Sequence, residues 1–149
     1  MEKMRKDKLL LSHGVYEGDL VDGKPNGKGI FIYNEGGVYE GDWVNGKQHG
    51  KGKYTHTDPK YVYEGDFAND VFQGKGKISF ENGDVYEGDF VNFECIGKGR
   101  YYYSNGDVYE GEFAYNKFTH EGDKHGKGKM TYADGTIEEG DWKDGEFIS

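Results

Sequence analysis

At 149 residues the chain has the length of one ordinary domain, yet only 34% of it is hydrophobic while 26 residues are glycine and 13 are tyrosine, which excludes a thick two-layer aliphatic core. A formal net charge of −9 removes the global basic field on which nucleic-acid and anionic-lipid binding draw, and favours basic partners instead. The lone Cys95 cannot form an internal disulfide, and no apolar run reaches membrane-spanning length, so the chain reads as soluble and cytoplasmic, at most peripheral to a membrane or the cytoskeleton.

The first predicted element is a strand. Counting back from Tyr16 places Met4–Leu10 in register with a second strand of the unit that follows, so 1–14 reads as a degenerate capping strand whose lysines discourage edge-to-edge growth. Read as a membrane-proximal tag, Lys3, Arg5, Lys6 and Lys8 against Glu2 and Asp7 carry too little net charge for firm anchoring.

Tyr16, Tyr39, Tyr63, Tyr86 and Tyr109 each open a YEG triplet, at intervals of 23, 24, 23 and 23 residues. An acid follows each triplet, and then in turn Leu20, Trp43, Phe67, Phe90 and Phe113. A GKG triplet starts at Gly27, Gly50, Gly74 and Gly97, and, six residues late, at Gly126. Self-similarity of this kind marks a repeat architecture. The units run 15–37, 38–61, 62–84, 85–107 and 108–137, the last with an insertion at 114–125, and a terminal half-unit and tail occupy 138–149, with Glu138 where tyrosine is expected.

Alternation decides the secondary structure, because successive side chains of a strand point to opposite faces. Tyr39, Gly41 and Trp43 share one face against Glu40 and Asp42, and Gly50, Gly52 and Tyr54 oppose Lys51 and Lys53. The same rule puts Gly97, Gly99, Tyr101 and Tyr103 against Lys98 and Arg100. Between strands lie VDGK, VNGK and KDGE, and between units NEGG, ENGD, SNGD and ADGT, which supply residues for positive-φ turns. The fold class is therefore all-β, a single-layer antiparallel meander of about a dozen strands in stacked β-hairpins.

One face is charged and reads as cross-strand ion pairs that hold register. The other is aromatic. Its rings, Tyr16, Tyr39, Trp43, Tyr54, Tyr63, Phe67, Tyr86, Phe90, Tyr101, Tyr103, Tyr109 and Phe113, form either an open groove that holds a partner or, stacked on glycine, the core of a one-layer protein.

The unit resembles the MORN (membrane occupation and recognition nexus) repeat, most closely at 39–54, YEGDWVNGKQHGKGKY, and the resemblance covers roughly residues 15–142. It implies an elongated, twisted sheet of hairpins with aromatic rings beside the motif glycines along a groove. MORN repeats occur beside lipid-kinase, methyltransferase and exchange-factor domains, in membrane-tethering junctional proteins and in cytoskeletal scaffolds, so binding or dimerisation is the function implied. No kinase, methyltransferase or transmembrane segment accompanies the repeats here, and their activities do not carry over.

Breaks in the repeat are further candidates. The insertion reads as a long loop with Tyr115, Phe118 and His120; Phe93 replaces the turn glycine in VNFECIG, exposing itself and Cys95 at a hairpin tip; and THTDPKYV at 55–62 is one residue longer, with Pro59 restricting it to a turn or edge. His120, Glu121, Asp123 and His125 form no convincing metal site, since His125 repeats the position of His49. GKG lacks the context of a phosphate loop, and a flat sheet offers no enclosure for catalysis. Neither cofactor nor catalytic residue is expected. The sequence points to a non-catalytic module or scaffold holding a protein partner, a basic one, with an inhibitor or immunity-type protein as one form. Anionic phospholipid binding and homodimerisation through the groove are the rival readings.

Overall fold

The computed structural model describes residues 4–116 and 121–149, and every regular element within them is a β-strand. The chain divides into two compact units, Met1–Val71 and Phe72–Ser149. In the first, β1 (Met4–Leu11), β2 (Gly14–Val21), β3 (Lys24–Tyr33), β4 (Val38–Val44), β5 (Lys47–Thr57) and β6 (Lys60–Ala68) lie side by side in chain order, each antiparallel to the last. The second repeats the plan with β7 (Val71–Phe80), β8 (Val85–Val91), β9 (Glu94–Tyr102), β10 (Val108–Asn116), β11 (Glu121–Thr131), β12 (Ile137–Lys143) and the short β13 (Glu146–Phe147). This is the all-β antiparallel meander that the alternation requires, and no helix occurs among the described residues.

Five hairpin tips among the described residues are two-residue turns with positive φ at both positions, as at Asn45–Gly46 (48° and 83°) and Asn92–Phe93 (50° and 71°). Such turns match the twist of the flanking strands. Four of these tips are tied back to the preceding hairpin through one backbone bond. The N–H of Gly46 donates to Pro25 O and that of Asp70 to Gln48 O; in the second unit Phe93 N–H reaches Phe72 O and Gly145 N–H reaches Lys124 O.

The hairpins β2–β3, β4–β5, β8–β9 and β10–β11 carry the same bulge. Gly41 faces Gly52 while Trp43 faces Gln48, so Asp42 alone spans His49, Gly50 and Lys51. The bulge needs Gly50 at φ 91°, and a Cβ there would lie 2.8 Å from the Asp42 carboxylate. That carboxylate accepts the Lys51 backbone N–H with Oδ2 (3.0 Å) and the Lys28 ammonium with Oδ1. The arrangement recurs at Asp19, Asp89 and Glu112, which accept the N–H of Lys28, Lys98 and Lys127. Lys51–Asp66, Lys75–Asp89 and Lys127–Asp141 are further ion pairs of the charged face.

The core lies on the opposite face and is one ring deep. Tyr39 is flat over Gly52, and its hydroxyl donates to Asp42 O at 2.7 Å; the equivalent bonds of Tyr16, Tyr63, Tyr86 and Tyr109 span 2.6–2.9 Å. The rings then meet edge to face: Tyr16–Trp43 (5.0 Å), Trp43–Tyr39 (5.2 Å) and Tyr39–Phe67 (4.8 Å) in the first unit. Tyr86–Phe113 (5.1 Å) and Tyr109–Trp142 (5.3 Å) continue the pattern in the second. Each contact of this geometry adds about 0.5–1.5 kcal/mol to the area it buries.

Candidate partner-binding face

The twelve rings expected on a binding face divide sharply by exposure. All five YEG tyrosines are 0% exposed, and Trp43, Phe67, Phe90 and Phe113 are buried with them, because glycine leaves room for a ring to lie on the backbone. Tyr54 and Tyr101, on second strands, and Tyr103, just past the end of β9, are half-buried. Burial pushes the Tyr16 hydroxyl up to about 12, with the Asp19 charge adding to it. Tyr39 and Tyr86 go higher for the same first reason.

In the first unit the aromatic face holds a trough of about 500 Å³. It is lined by Trp43 and Gln48, by Leu9, Leu11, His13, Phe31 and Tyr33, and by Lys24, Gly46 and Asp70. His13 stacks on Phe31 (4.9 Å), and Phe31 meets Tyr33 at 4.6 Å. Gln48, only 4% exposed, donates Nε2 to the Tyr33 hydroxyl at 2.6 Å, and its backbone N–H donates to Asp70 Oδ1 at 2.8 Å. Sequence reading missed Tyr33, His13, Gln48 and Asp70. For Tyr33 the signal was present, since it follows Gly29 and Phe31 on the same face.

In the second unit Tyr101, Tyr103 and Tyr132 are half-buried, as are Phe80, Tyr102 and Phe147. The Tyr101 hydroxyl donates to Asp84 Oδ2 at 2.8 Å, and Tyr132 donates to Glu138. That bond raises Tyr132 to about 12. Burial works against ionisation of Asp84, but bonds from Tyr101 and the Ser104 backbone outweigh it and hold the carboxyl low. Lys124 occupies the aromatic-face position that Gln48 takes earlier, pairing with Phe113. Its ammonium lies 5.5 Å from the Tyr103 ring centre and 5.6 Å from that of Trp142.

Phe93 is 52% exposed at its tip and packs edge to face on Phe72 at 4.8 Å. It holds a left-handed backbone where other tips use glycine or a short polar residue, at a cost of roughly 1–2 kcal/mol. Cys95 is not at the tip but half-buried opposite Phe90. The insertion, expected as a loop from 114 to 125, is largely hairpin arm: Ala114, Tyr115 and Asn116 pair with Asp123, Gly122 and Glu121. Because Phe113 still faces Lys124 as Trp43 faces Gln48, the extra residues simply lengthen the hairpin beyond its usual tip. Phe118 and His120 lie outside the described residues, as does the Tyr115 side chain. The longer connection around Pro59 proves to be a tight turn between Thr57 and Lys60, with His56 stacked on Tyr61 at 4.8 Å. Among the described residues no three or more His, Cys, Asp or Glu side chains converge as metal ligands, and no helix is long and apolar enough to cross a membrane.

Stacked hairpins with glycine-seated tyrosines define a β-repeat protein whose side chains build a sheet and present a face. The MORN repeat model matches residues 16–38, 39–58, 63–85, 86–108 and 120–137, and the chain belongs to the MORN repeat family, a non-catalytic repeat module of interaction and membrane-associated proteins. No curated protein matches the chain. Among solved structures it is similar to the SAS-4 (dCPAP) TCP domain in complex with a proline-rich motif of Ana2 (dSTIL) of Drosophila melanogaster. The identity is 15%, the match covers 90% of this chain and 77% of that one, and the TM-score is 0.48.

Proposed function

We propose that this chain is a non-catalytic interaction module or scaffold that holds a protein partner, a basic one, on its aromatic face and irregular tips. The observation that carries the reading is the trough at Trp43 and Gln48, lined by rings and by hairpin tips and wide enough for several side chains of a partner. Concave, mostly apolar sites with a few placed polar groups are where ligands settle, and His13, Gln48 and Asp70 supply those groups. Phe93, exposed despite its backbone cost, is a second contact. An inhibitor that covers a basic enzyme is one form such a module takes. Quantitative affinity capture from native extract tests it. Leu11→Glu, which puts a charge into the trough lining, should lose the captured protein, while Glu40→Gln on the opposite face should keep it. Equal capture by both variants, or none by wild type, would remove the reading.

A second reading rests on a different patch. Leu10, Val15, Ile32 and Val38 are successive cross-strand neighbours on the face opposite the tyrosines, with Leu10 80% and Ile32 53% exposed and Lys8 on the same face of β1. An apolar row beside lysines suits a peripheral contact with anionic phospholipid. It predicts co-sedimentation with phosphatidylserine vesicles that Leu10→Asp abolishes; no wild-type sedimentation at low salt would exclude it.

A further inference from the structure

The excess of acid is unevenly spread. Residues 1–71 carry 12 acids against 10 bases, whereas residues 72–149 carry 16 against 9. On the charged face of the second unit cations answer half of the strand acids: Lys75 pairs with Asp89, Arg100 with Glu110 and Lys127 with Asp141. At the half-buried rings the carboxylates are held differently. Asp84 is bonded by the Tyr101 hydroxyl and the Ser104 N–H, Asp107 by the Ala133 N–H and the Asn105 amide, and Glu138 by the Tyr132 hydroxyl. These donors are neutral, so among the described residues the three carboxylate charges stand beside half-buried rings without an ion-paired cation.

The same surface already holds one cation. Lys124 lies against the Tyr103 and Trp142 rings, and its Nζ donates to the Tyr103 hydroxyl at 3.1 Å. An ammonium close to an aromatic ring is attracted by the negative potential of the ring. Lys124 stands where the other hairpins carry the uncharged Pro25, Gln48 and Cys95, and Glu138 stands in the row of the YEG tyrosines opposite Met130.

We propose that the ring row Tyr101, Tyr103 and Tyr132, with the carboxylates of Asp84, Asp107 and Glu138, is a docking surface for an extended basic segment that seats Lys or Arg side chains on the rings. The inference rests on the protein-binding reading and names the chemistry of the partner. Asp84 and Asp107 occupy the same place in successive hairpins, two strands apart, or about 9.6 Å. A polyproline-type segment presents every third residue on one side at about 9.3 Å. The spacing therefore selects basic residues at every third position.

The test uses the full chain and a fluorescent 12-residue peptide with arginine at every third position and proline and serine between, read by polarisation at about 50 mM salt. Asp84→Asn, Asp107→Asn and Glu138→Gln together should weaken binding at least about 10-fold, consistent with loss of close charge partners. Glu40→Gln, Glu87→Gln and Glu139→Gln together make the same change in net charge on the other face and should cost less than about 2-fold. Lys124→Met removes the resident cation while leaving all three carboxylates, and should tighten binding about 3-fold. A peptide with its four arginines consecutive should bind more weakly than the spaced one. Equal weakening by the two triple variants, no effect of Lys124→Met, or no binding by wild type would each overturn the proposal. Loss of peptide binding with capture still dependent on Leu11 would leave the protein-binding reading standing without it.

Discussion

Gly52 carries no side chain because Tyr39 occupies the space one would need: a Cβ would lie 2.5 Å from the ring and 2.5 Å from the hydroxyl oxygen. The neighbour cannot yield cheaply, since the ring is pinned between Trp43 and Phe67 and its hydroxyl is committed to Asp42 O. Gly52→Ala should therefore destabilise by about 2 kcal/mol, in the range of overpacked cores, and Tyr39→Phe by only about 1 kcal/mol for the lost hydrogen bond. Urea denaturation of the two variants checks the order; a Gly52→Ala protein as stable as wild type would show that the ring is not seated as described. That tyrosine and glycine share a face was readable from alternation alone. Their degree of burial was not, because it depends on the ring lying flat across the neighbouring strand rather than standing up from its own. The trough was hidden for a related reason: His13, Tyr33, Gln48 and Asp70 come from different strands and turns, and only the bulged register brings them together.

The element that sets this register is the hairpin bulge, and its keystone is an aspartate. Asp42 accepts the Lys28 ammonium and the Lys51 backbone N–H, and its pKa is lowered first by Lys28, with burial opposing and the Lys51 N–H assisting. A carboxyl whose folded pKa lies below its ordinary value of 3.8 contributes stability that is present above that value and is lost as the pH falls through the folded one. Asp42→Asn keeps an acceptor but no charge, so it should be less stable than wild type by about 1 kcal/mol near neutral pH. The gap should close as the pH is lowered from about 4 toward 2. Thermal melts across that range measure it, and a gap that persists unchanged at the acid end would mean that the charge plays no part. The YEG and GKG triplets announced the two strands of each hairpin, and the acid after YEG was assigned to cross-strand pairing. Its second task, closing the bulge over a positive-φ glycine, left no separate mark in the sequence because the same residue performs both.

At the scale of the whole molecule, stability rests on rings that must stay protonated. Tyr16 and Tyr109 are pushed up to about 12, in each case by burial first and then by a neighbouring carboxylate, Asp19 or Glu112. A phenol whose folded pKa is raised above 10.0 contributes stability that is complete below the unfolded value and is lost as the pH rises through the folded one. Since an aliphatic core is missing and the repeated tyrosines take its place, the chain should be unusually sensitive to alkali compared with its tolerance of mild acid. Urea midpoints should fall steadily from about pH 10 to about pH 12. The tyrosinate absorbance should rise in two steps, the exposed phenols first and the YEG set only together with loss of the β-sheet circular dichroism. Both steps falling near pH 10 with the sheet intact would show that the YEG rings reach solvent without unfolding. The buried set would then be part of the accessible face after all, and the division between core tyrosines and partner-binding tyrosines would have to be redrawn.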